Sequence, residues 1–211
     1  MNPTRGQRMQ WTIKRILEWL AALMLTIVTA PIQILIALAI TLDSPGPVFF
    51  IQERLGRKGR PFRMYKFRSL RWEPGAPPSL NPDGSTRVDA DDERLTRVGH
   101  WLRTGWDELP QLLNVLKGQM AIIGPRPDAP FHRQFYTEAE VRKLTVLPGI
   151  TGLSQALGRN DIPWKQRIAL DLDYIDHYSL WLDLTVVART LQILVSRRGV
   201  FKEPTVKARD L

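Results

Sequence analysis

The stretch "WLAALMLTIVTAPIQILIALAITL", Trp19 to Leu42, decides the fold: 24 consecutive residues carry no formal charge. Such a run is long enough for a helix across the ~30 Å hydrocarbon core of a bilayer. It is too long for a signal peptide, and no small-residue cleavage site follows it. Pro31 divides it, with 12 residues before and 11 after. Proline removes a backbone hydrogen bond and kinks a helix. Each arm is then roughly 16–18 Å long at 1.5 Å per residue, so a straight span and a helix broken at Pro31 both satisfy the length.

The flanking charge chooses between them. Arg5, Arg8, Lys14 and Arg15 precede the segment; Arg54, Arg57, Lys58, Arg60, Arg63, Lys66, Arg68 and Arg71 follow it, with no acid from 54 to 71. Positive charge favours the cytoplasmic side of a membrane. A straight span sends one basic flank across, whereas a helix that enters and leaves by one face keeps both inside. The expectation is an N-terminal re-entrant helix broken at Pro31, with Gln33 hydrogen-bonding the backbone groups freed there.

The whole chain is basic, with 30 Lys+Arg against 21 Asp+Glu in 211 residues. That balance implies an anionic partner: nucleic acid, lipid headgroups or a phosphorylated substrate. The absence of cysteine excludes a disulfide scaffold and a cysteine-ligated metal. His100, His132 and His177 lie too far apart in sequence for a zinc motif.

Beyond the apolar segment, Val48–Ile51 and Phe62–Phe67 read as two short strands around the Gly56/Gly59 turn, a β-hairpin. Residues 72–94 read as a polar surface loop. Leu109, Leu112, Leu113 and Leu116 recur at helical spacing. Helices are expected over Glu138–Leu144 and 165–177. In "LWLDLTVVARTLQILV", residues 180–195, Leu180, Leu184, Val187, Leu191 and Leu194 share a helical face. It serves either as a core-packing face or as one lying in the membrane interface with Trp181 at headgroup level. Asp171, Asp173 and Asp183 read mostly as solvated or capping acids.

The chemistry concentrates in "GWDELPQLLNVLKGQMAIIGPRPD", residues 105–128. Asp107 reads as a helix N-cap, or as a carboxylate that acts as a nucleophile or holds Mg²⁺ against a diphosphate. A helix start would keep such an acid ionised and attract phosphate. Arg126, between Pro125 and Pro127, suits bidentate contact with phosphate oxygens, or else a structural ion pair. Lys66 and the other cations of 54–71 read as a membrane-facing patch or as contributors to the site.

The strings "DELPQLLNVLKGQMAIIGPRP", "PGITGLSQALGRND" and "SPGPVFFIQERLGRKGRPFRMYKFRSL" closely resemble the bacterial sugar transferases that start glycan assembly, the small monotopic polyprenyl-phosphate phosphoglycosyltransferases. The resemblance implies that Asp107 is the catalytic nucleophile, supported by Glu108, with Mg²⁺ on Asp107 and the diphosphate. It implies a nucleotide-diphosphate sugar, with uridine as the base, as donor. A polyprenyl phosphate would be the acceptor, the enzyme initiating exopolysaccharide or glycoconjugate assembly through a covalent aspartyl-phosphosugar. Lys66, Arg126 and Arg159 correspond to family positions that meet phosphate or nucleotide. Some members carry an arginine five residues before the nucleophile; here that position is Leu102, and Arg103 follows it.

The expected architecture is α/β, mostly helical with a short β-hairpin. Residues 1–42 form a basic segment and a re-entrant membrane helix, and 43–211 a cytoplasmic catalytic domain with interfacial C-terminal helices. The expected location is the bacterial inner membrane, cytoplasmic face, with membrane lipids as partners and no nucleic acid. Two rivals remain: a non-catalytic membrane-tethered basic protein that binds nucleic acid or anionic lipid, and a glycosyltransferase that moves a sugar without its phosphate.

Overall fold

A computed structural model describes residues 5–73, 92–158 and 162–196. The chain is mostly helical with two small two-stranded sheets. Helix α1 runs Arg5–Asp43 as one continuous helix with Pro31 inside it. Met9–Asp43 is the one described segment long and apolar enough to cross a membrane, by length and composition.

The expected break at Pro31 is not seen: the helix continues through it. Pro31 lacks the N–H that would bond the carbonyl four residues back, and the loss of one bond does not unwind the neighbouring turns. Threonines on the same stretch bond back onto the helix, Thr26 Oγ1 to the Ala22 carbonyl (2.7 Å) and Thr29 Oγ1 to that of Leu25 (2.6 Å). Such back-bonds bend helices without interrupting them. Gln33 donates to Thr29 Oγ1 at 2.9 Å, a side-chain rather than a backbone partner.

Three apolar clusters are threaded on α1. Trp11 packs with Ile123, Tyr174, Tyr178 and Val186. Ala22 packs with Phe62, Met64, Leu112, Val115 and Met120. Ile36 and Ile40 pack with Phe67 and Leu102. Between Ala22 and Ile36 most apolar side chains are exposed, Ile27 and Val28 among the most. Apolar surface left in water is costly, at about 25 cal/mol per Å², so this bare stretch points to a lipid environment.

Strands β1 (Phe49–Leu55) and β2 (Pro61–Phe67) form the expected antiparallel hairpin, with Phe50 opposite Lys66 and Arg54 opposite Phe62. Helix α2 (Arg97–Leu102) is capped by Thr96, whose hydroxyl accepts the Gly99 N–H at 2.9 Å. The expected leucine helix is divided: a 3-10 helix, Trp106–Gln111, containing Pro110, leads into a single α turn, α3 (Leu112–Leu116). Leu112 is buried but Leu113 is exposed, because the 3-10 turn rotates the face that the α spacing assumes. The segment expected as a helix over Glu138–Leu144 is a 3-10 helix, Glu140–Thr145.

Strands β3 (Ala121–Ile123) and β4 (Gly149–Thr151) pair in parallel. Helices α4 (Leu153–Leu157), α5 (Trp164–Asp176) and α6 (Leu180–Ser196) follow. The α6 stripe is not a core face: Leu180, Trp181, Leu184, Val187, Leu191 and Leu194 are exposed, while Asp183 and Val186 point inward. Asp171 and Asp183 are likewise buried rather than solvated, whereas Asp173 pairs with His177 at the surface.

Candidate active site

Asp107 and Glu108 sit in the first turn of the 3-10 helix, and Gly105, not Asp107, occupies the N-cap position. Gly105 has φ of 129°, a left-handed conformation that side chains rarely adopt. The capping alternative for Asp107 is therefore replaced by one in which glycine makes the turn and the acids project from it. The helix is too short to supply the field expected of a helix start. Cations supply it instead.

Lys66 comes from β2. Its Nζ donates to Glu108 Oε1 at 2.8 Å and lies 3.8 Å from Asp107 Oδ2. Asn114 fixes the strand that carries it. This fully buried side chain accepts the Tyr65 N–H (3.1 Å) and donates to the Arg63 carbonyl (2.8 Å) and to Gln119 Oε1 (2.8 Å). Both ends of the amide thus hold β2, which ties α3 to that strand. One asparagine in "LLNVL" was the only trace of this in the sequence.

Arg126 lies in the loop after β3, and its Nη2 is 3.6 Å from Glu108 Oε1. The Pro-Arg-Pro loop is held against β4 by backbone. The Gly124 N–H donates to the Thr151 carbonyl and the Gly149 N–H to the Pro125 carbonyl, both at 2.9 Å. A Cβ on Gly149 would meet Gly124 N at 2.1 Å, and one on Gly152 would meet Gly124 O at 2.1 Å. The two glycine-containing strings of the sequence are therefore one structure, in which close approach of backbones seats Arg126.

Asp128, the next residue but one, anchors the far side of that loop. Lys143 Nζ donates to it at 2.6 Å, Tyr136 OH at 2.5 Å and Trp164 Nε1 at 3.2 Å. Burial alone would raise its pKa, but Lys143, Tyr136 and His132 outweigh burial and hold the carboxyl below the usual range. Lys143 also pairs with Asp171 at 3.0 Å, and Asp171 accepts from Ser154 at 2.9 Å. These residues are distant in sequence and show no periodicity, so no sequence signal joined them.

Arg103 caps the C-terminal end of α2. Burial lowers its pKa and the charge of Asp107 opposes the shift, while Leu102 is core. Arg103, four residues before Asp107, therefore bears electrostatically on that carboxylate, as does Arg126. Arg159 lies outside the described residues. Asp107 itself has a raised pKa, chiefly from burial and further from Glu108; Lys66, Arg103 and Arg126 pull it down.

Among the described residues no three His, Cys, Asp or Glu gather as a metal cluster. A Mg²⁺ that works on phosphates needs only one or two carboxylates, the remainder of its shell being phosphate and water. Glu108 Oε1 is engaged by Lys66 and Arg126, whereas the nearest cation contact of Asp107 is the long one to Lys66. Asp107 is therefore the carboxylate that fits such an ion.

An acid pair set among basic side chains, in a chain whose long N-terminal helix is apolar enough to cross a membrane, suits phosphorylated substrates. The chain belongs to the bacterial sugar transferase family, which matches residues 9–197. It is 42% identical over 197 residues to the UDP-glucose:undecaprenyl-phosphate glucose-1-phosphate transferase of Caulobacter vibrioides, a match covering 89% of this chain and 72% of that protein. It is 39% identical over 189 residues to the uncharacterized sugar transferase EpsL of Bacillus subtilis, covering 89% and 90%. With the exopolysaccharide production protein ExoY of Rhizobium meliloti it shares 36% over 199 residues, covering 89% and 88%.

Proposed function

We propose that the protein transfers a sugar 1-phosphate from a UDP-sugar to undecaprenyl phosphate, the first step of a bacterial polysaccharide. Family membership supports the reaction class and the names of the relatives support the substrates. The observation that carries the site is Asp107 beside Glu108, with Lys66, Arg103 and Arg126 acting on the pair.

An Asp107 oxygen attacks the phosphorus that bears the sugar. The bond from that phosphorus to the bridging oxygen breaks, and uridine monophosphate leaves with the electron pair. The lipid phosphate then attacks the same phosphorus and Asp107 departs as a carboxylate. One carboxylate serves both half-reactions. Burial raises its pKa above the usual carboxylate range, which makes it a more basic nucleophile than a solvated aspartate. Lys66 and Arg126 hold Glu108 and stabilise charge gathering on the phosphate oxygens. Asp107 would hold a Mg²⁺, which would supply neutralisation of the diphosphate charge.

The helix α1 is read as re-entrant. Both of its ends pack on one domain, through Trp11 and Ala22 at one end and Ile36 and Ile40 at the other. A span would separate those ends by the ~30 Å bilayer core. Since α1 continues through Pro31, re-entry would take the form of a bend rather than a break, with the bare turns around Pro31 meeting lipid and the exposed stripe of α6 in the interface. The catalytic domain then sits on the cytoplasmic face of the inner membrane.

The by-product decides the reaction class. Purified enzyme, UDP-sugars and undecaprenyl phosphate should release uridine monophosphate. Release of uridine diphosphate would mean transfer of the sugar without its phosphate and would overturn this reading.

A further inference from the structure

Arg54 lies at the far end of the hairpin from Lys66, yet the two face the same way. Residues directly opposite in an antiparallel pair project to one face of a sheet. Arg54 is opposite Phe62, Gln52 opposite Met64 and Phe50 opposite Lys66, so Arg54 and Lys66 share the face whose other members, Phe62 and Met64, are core. The Arg54 Nη2 donates to Gln52 Oε1, so the guanidinium leans back along the strand toward the Lys66 end. The next residue is tied to the Pro-Arg-Pro loop: the Leu55 N–H donates to the Asp128 carbonyl at 2.8 Å.

The surroundings of Arg54 are those of an anion site. Its Nε is buried and has no hydrogen-bond partner among the described residues. A buried donor left without an acceptor is costly, and two neighbouring guanidiniums repel. Burial and the charge of Arg126 bring its pKa down to about 10, against the pull of Asp128 and Glu108. Asp107, by contrast, responds to Lys66, Glu108, Arg103 and Arg126. The cations thus divide: Arg103 on the Asp107 side, Arg54 on the Glu108 side, and Arg126 between. Lys66, Arg103, Arg126 and Arg54 thus outnumber the acid pair Asp107 and Glu108, a local surplus of positive charge that suits a diphosphate.

We propose that Arg54 is a phosphate-binding residue of the donor site, holding with Arg126 the leaving phosphate of the nucleotide while the other phosphate meets Asp107. The proposal rests on the phosphosugar-transfer reading for the identity of the donor. The anion site itself is tested by binding alone.

The test uses the full-length enzyme in detergent, with uridine monophosphate and uridine diphosphate as probes in equilibrium binding, and with the KM of the lipid phosphate measured separately. Arg54→Gln should weaken nucleotide binding by roughly 10- to 100-fold, the loss expected of charge-assisted hydrogen bonds. The KM for undecaprenyl phosphate should stay within about twofold. Arg54→Lys should recover only part of the affinity, because a point charge does not replace a planar donor edge. It also serves if the glutamine variant does not fold. Unchanged nucleotide affinity in a folded variant overturns the proposal. So does a shift confined to the lipid KM, which would assign Arg54 to the acceptor. Release of uridine diphosphate by wild-type enzyme would instead overturn the reaction class and leave the binding comparison standing.

Discussion

Lys14 and Asp183, 169 residues apart, meet at 2.9 Å in the interior. Lys14 also donates to Glu18 at 2.7 Å, and Glu18 Oε1 accepts the Ile123 N–H of β3 at 2.8 Å. Tyr174 OH donates to Asp183 at 2.6 Å. The first third of α1 is thus tied by charge to α6 and to the sheet that seats Arg126. A helix start fastened in this way packs as part of the domain, which supports the proposed re-entrant reading.

Tags at residues 2 and 211 should therefore both report the cytoplasm in cells; a periplasmic tag at residue 2 would refute re-entry. Lys14→Met leaves Glu18 and Asp183 buried without their cation. Breaking a buried pair in this way costs about 3–5 kcal/mol. At about 2–4 °C per kcal/mol for a chain of this size, thermal melting in detergent should fall by many degrees. Unchanged melting would show that the cluster adds nothing to stability.

Asp107→Asn should abolish turnover and yet raise the melting temperature. Burial lifts the Asp107 pKa above its unfolded value. A carboxyl so shifted binds its proton more tightly in the folded state, so it destabilises the fold progressively as pH rises from the unfolded pKa through the folded one. At neutral pH the charge is a burden that the amide lacks. The gain should be about 0.5–2 kcal/mol, as for other relieved functional sites. Intact mass after mixing with donor should show a phosphosugar adduct on wild type and none on the variant. An adduct on Asp107→Asn would remove Asp107 as nucleophile.

The sequence carried the hairpin, the long apolar helix and the family, because each is written in local pattern or contiguous motif. What it did not carry depends on burial. Asp171 and Asp183 look like any surface acid until Lys143 and Lys14 are seen beside them. Leu180, Leu184 and Val187 form a stripe that would suit a core or a membrane equally, and exposure alone separates the two. Arg54 sat unremarked among eight cations between 54 and 71; only strand register sets it on the Lys66 face. Pro31 shows the opposite error, a strong local rule overridden by the continuity of the turns around it.

Lys143 should be worth more to stability than either acid it joins. Lys143→Met leaves Asp128 and Asp171 facing each other unneutralised, at a cost of about 3–5 kcal/mol. Asp171→Asn should cost less, since burial already raises the pKa of Asp171 and the Asp128–Lys143 pair survives. Asp128, held below the usual range by Lys143, Tyr136 and His132, supplies stability present above its unfolded pKa and lost only as pH falls through the lower folded value. Acid titration of melting should show that loss in wild type and not in Asp128→Asn. Equal melting of Lys143→Met and wild type would sink the assignment.

Lys66 and Glu108 should move the acidic limb of the pH–rate profile in opposite directions. The nucleophile must be ionised to attack, so the first half-reaction slows as pH falls through the Asp107 pKa. Burial sets that value high; Lys66 is the foremost charge pulling it down and Glu108 pushes it further up. Removing the cation in Lys66→Met therefore shifts the limb to higher pH, and removing the neighbouring acid in Glu108→Gln shifts it to lower pH. The donor is a diphosphate diester with no group titrating near neutrality, whereas a lipid phosphomonoester has a second pKa of about 6. Single-turnover release of uridine monophosphate without acceptor isolates the enzyme's own titration. Parallel shifts in both variants, or none in either, would show that the limb belongs to some group other than Asp107.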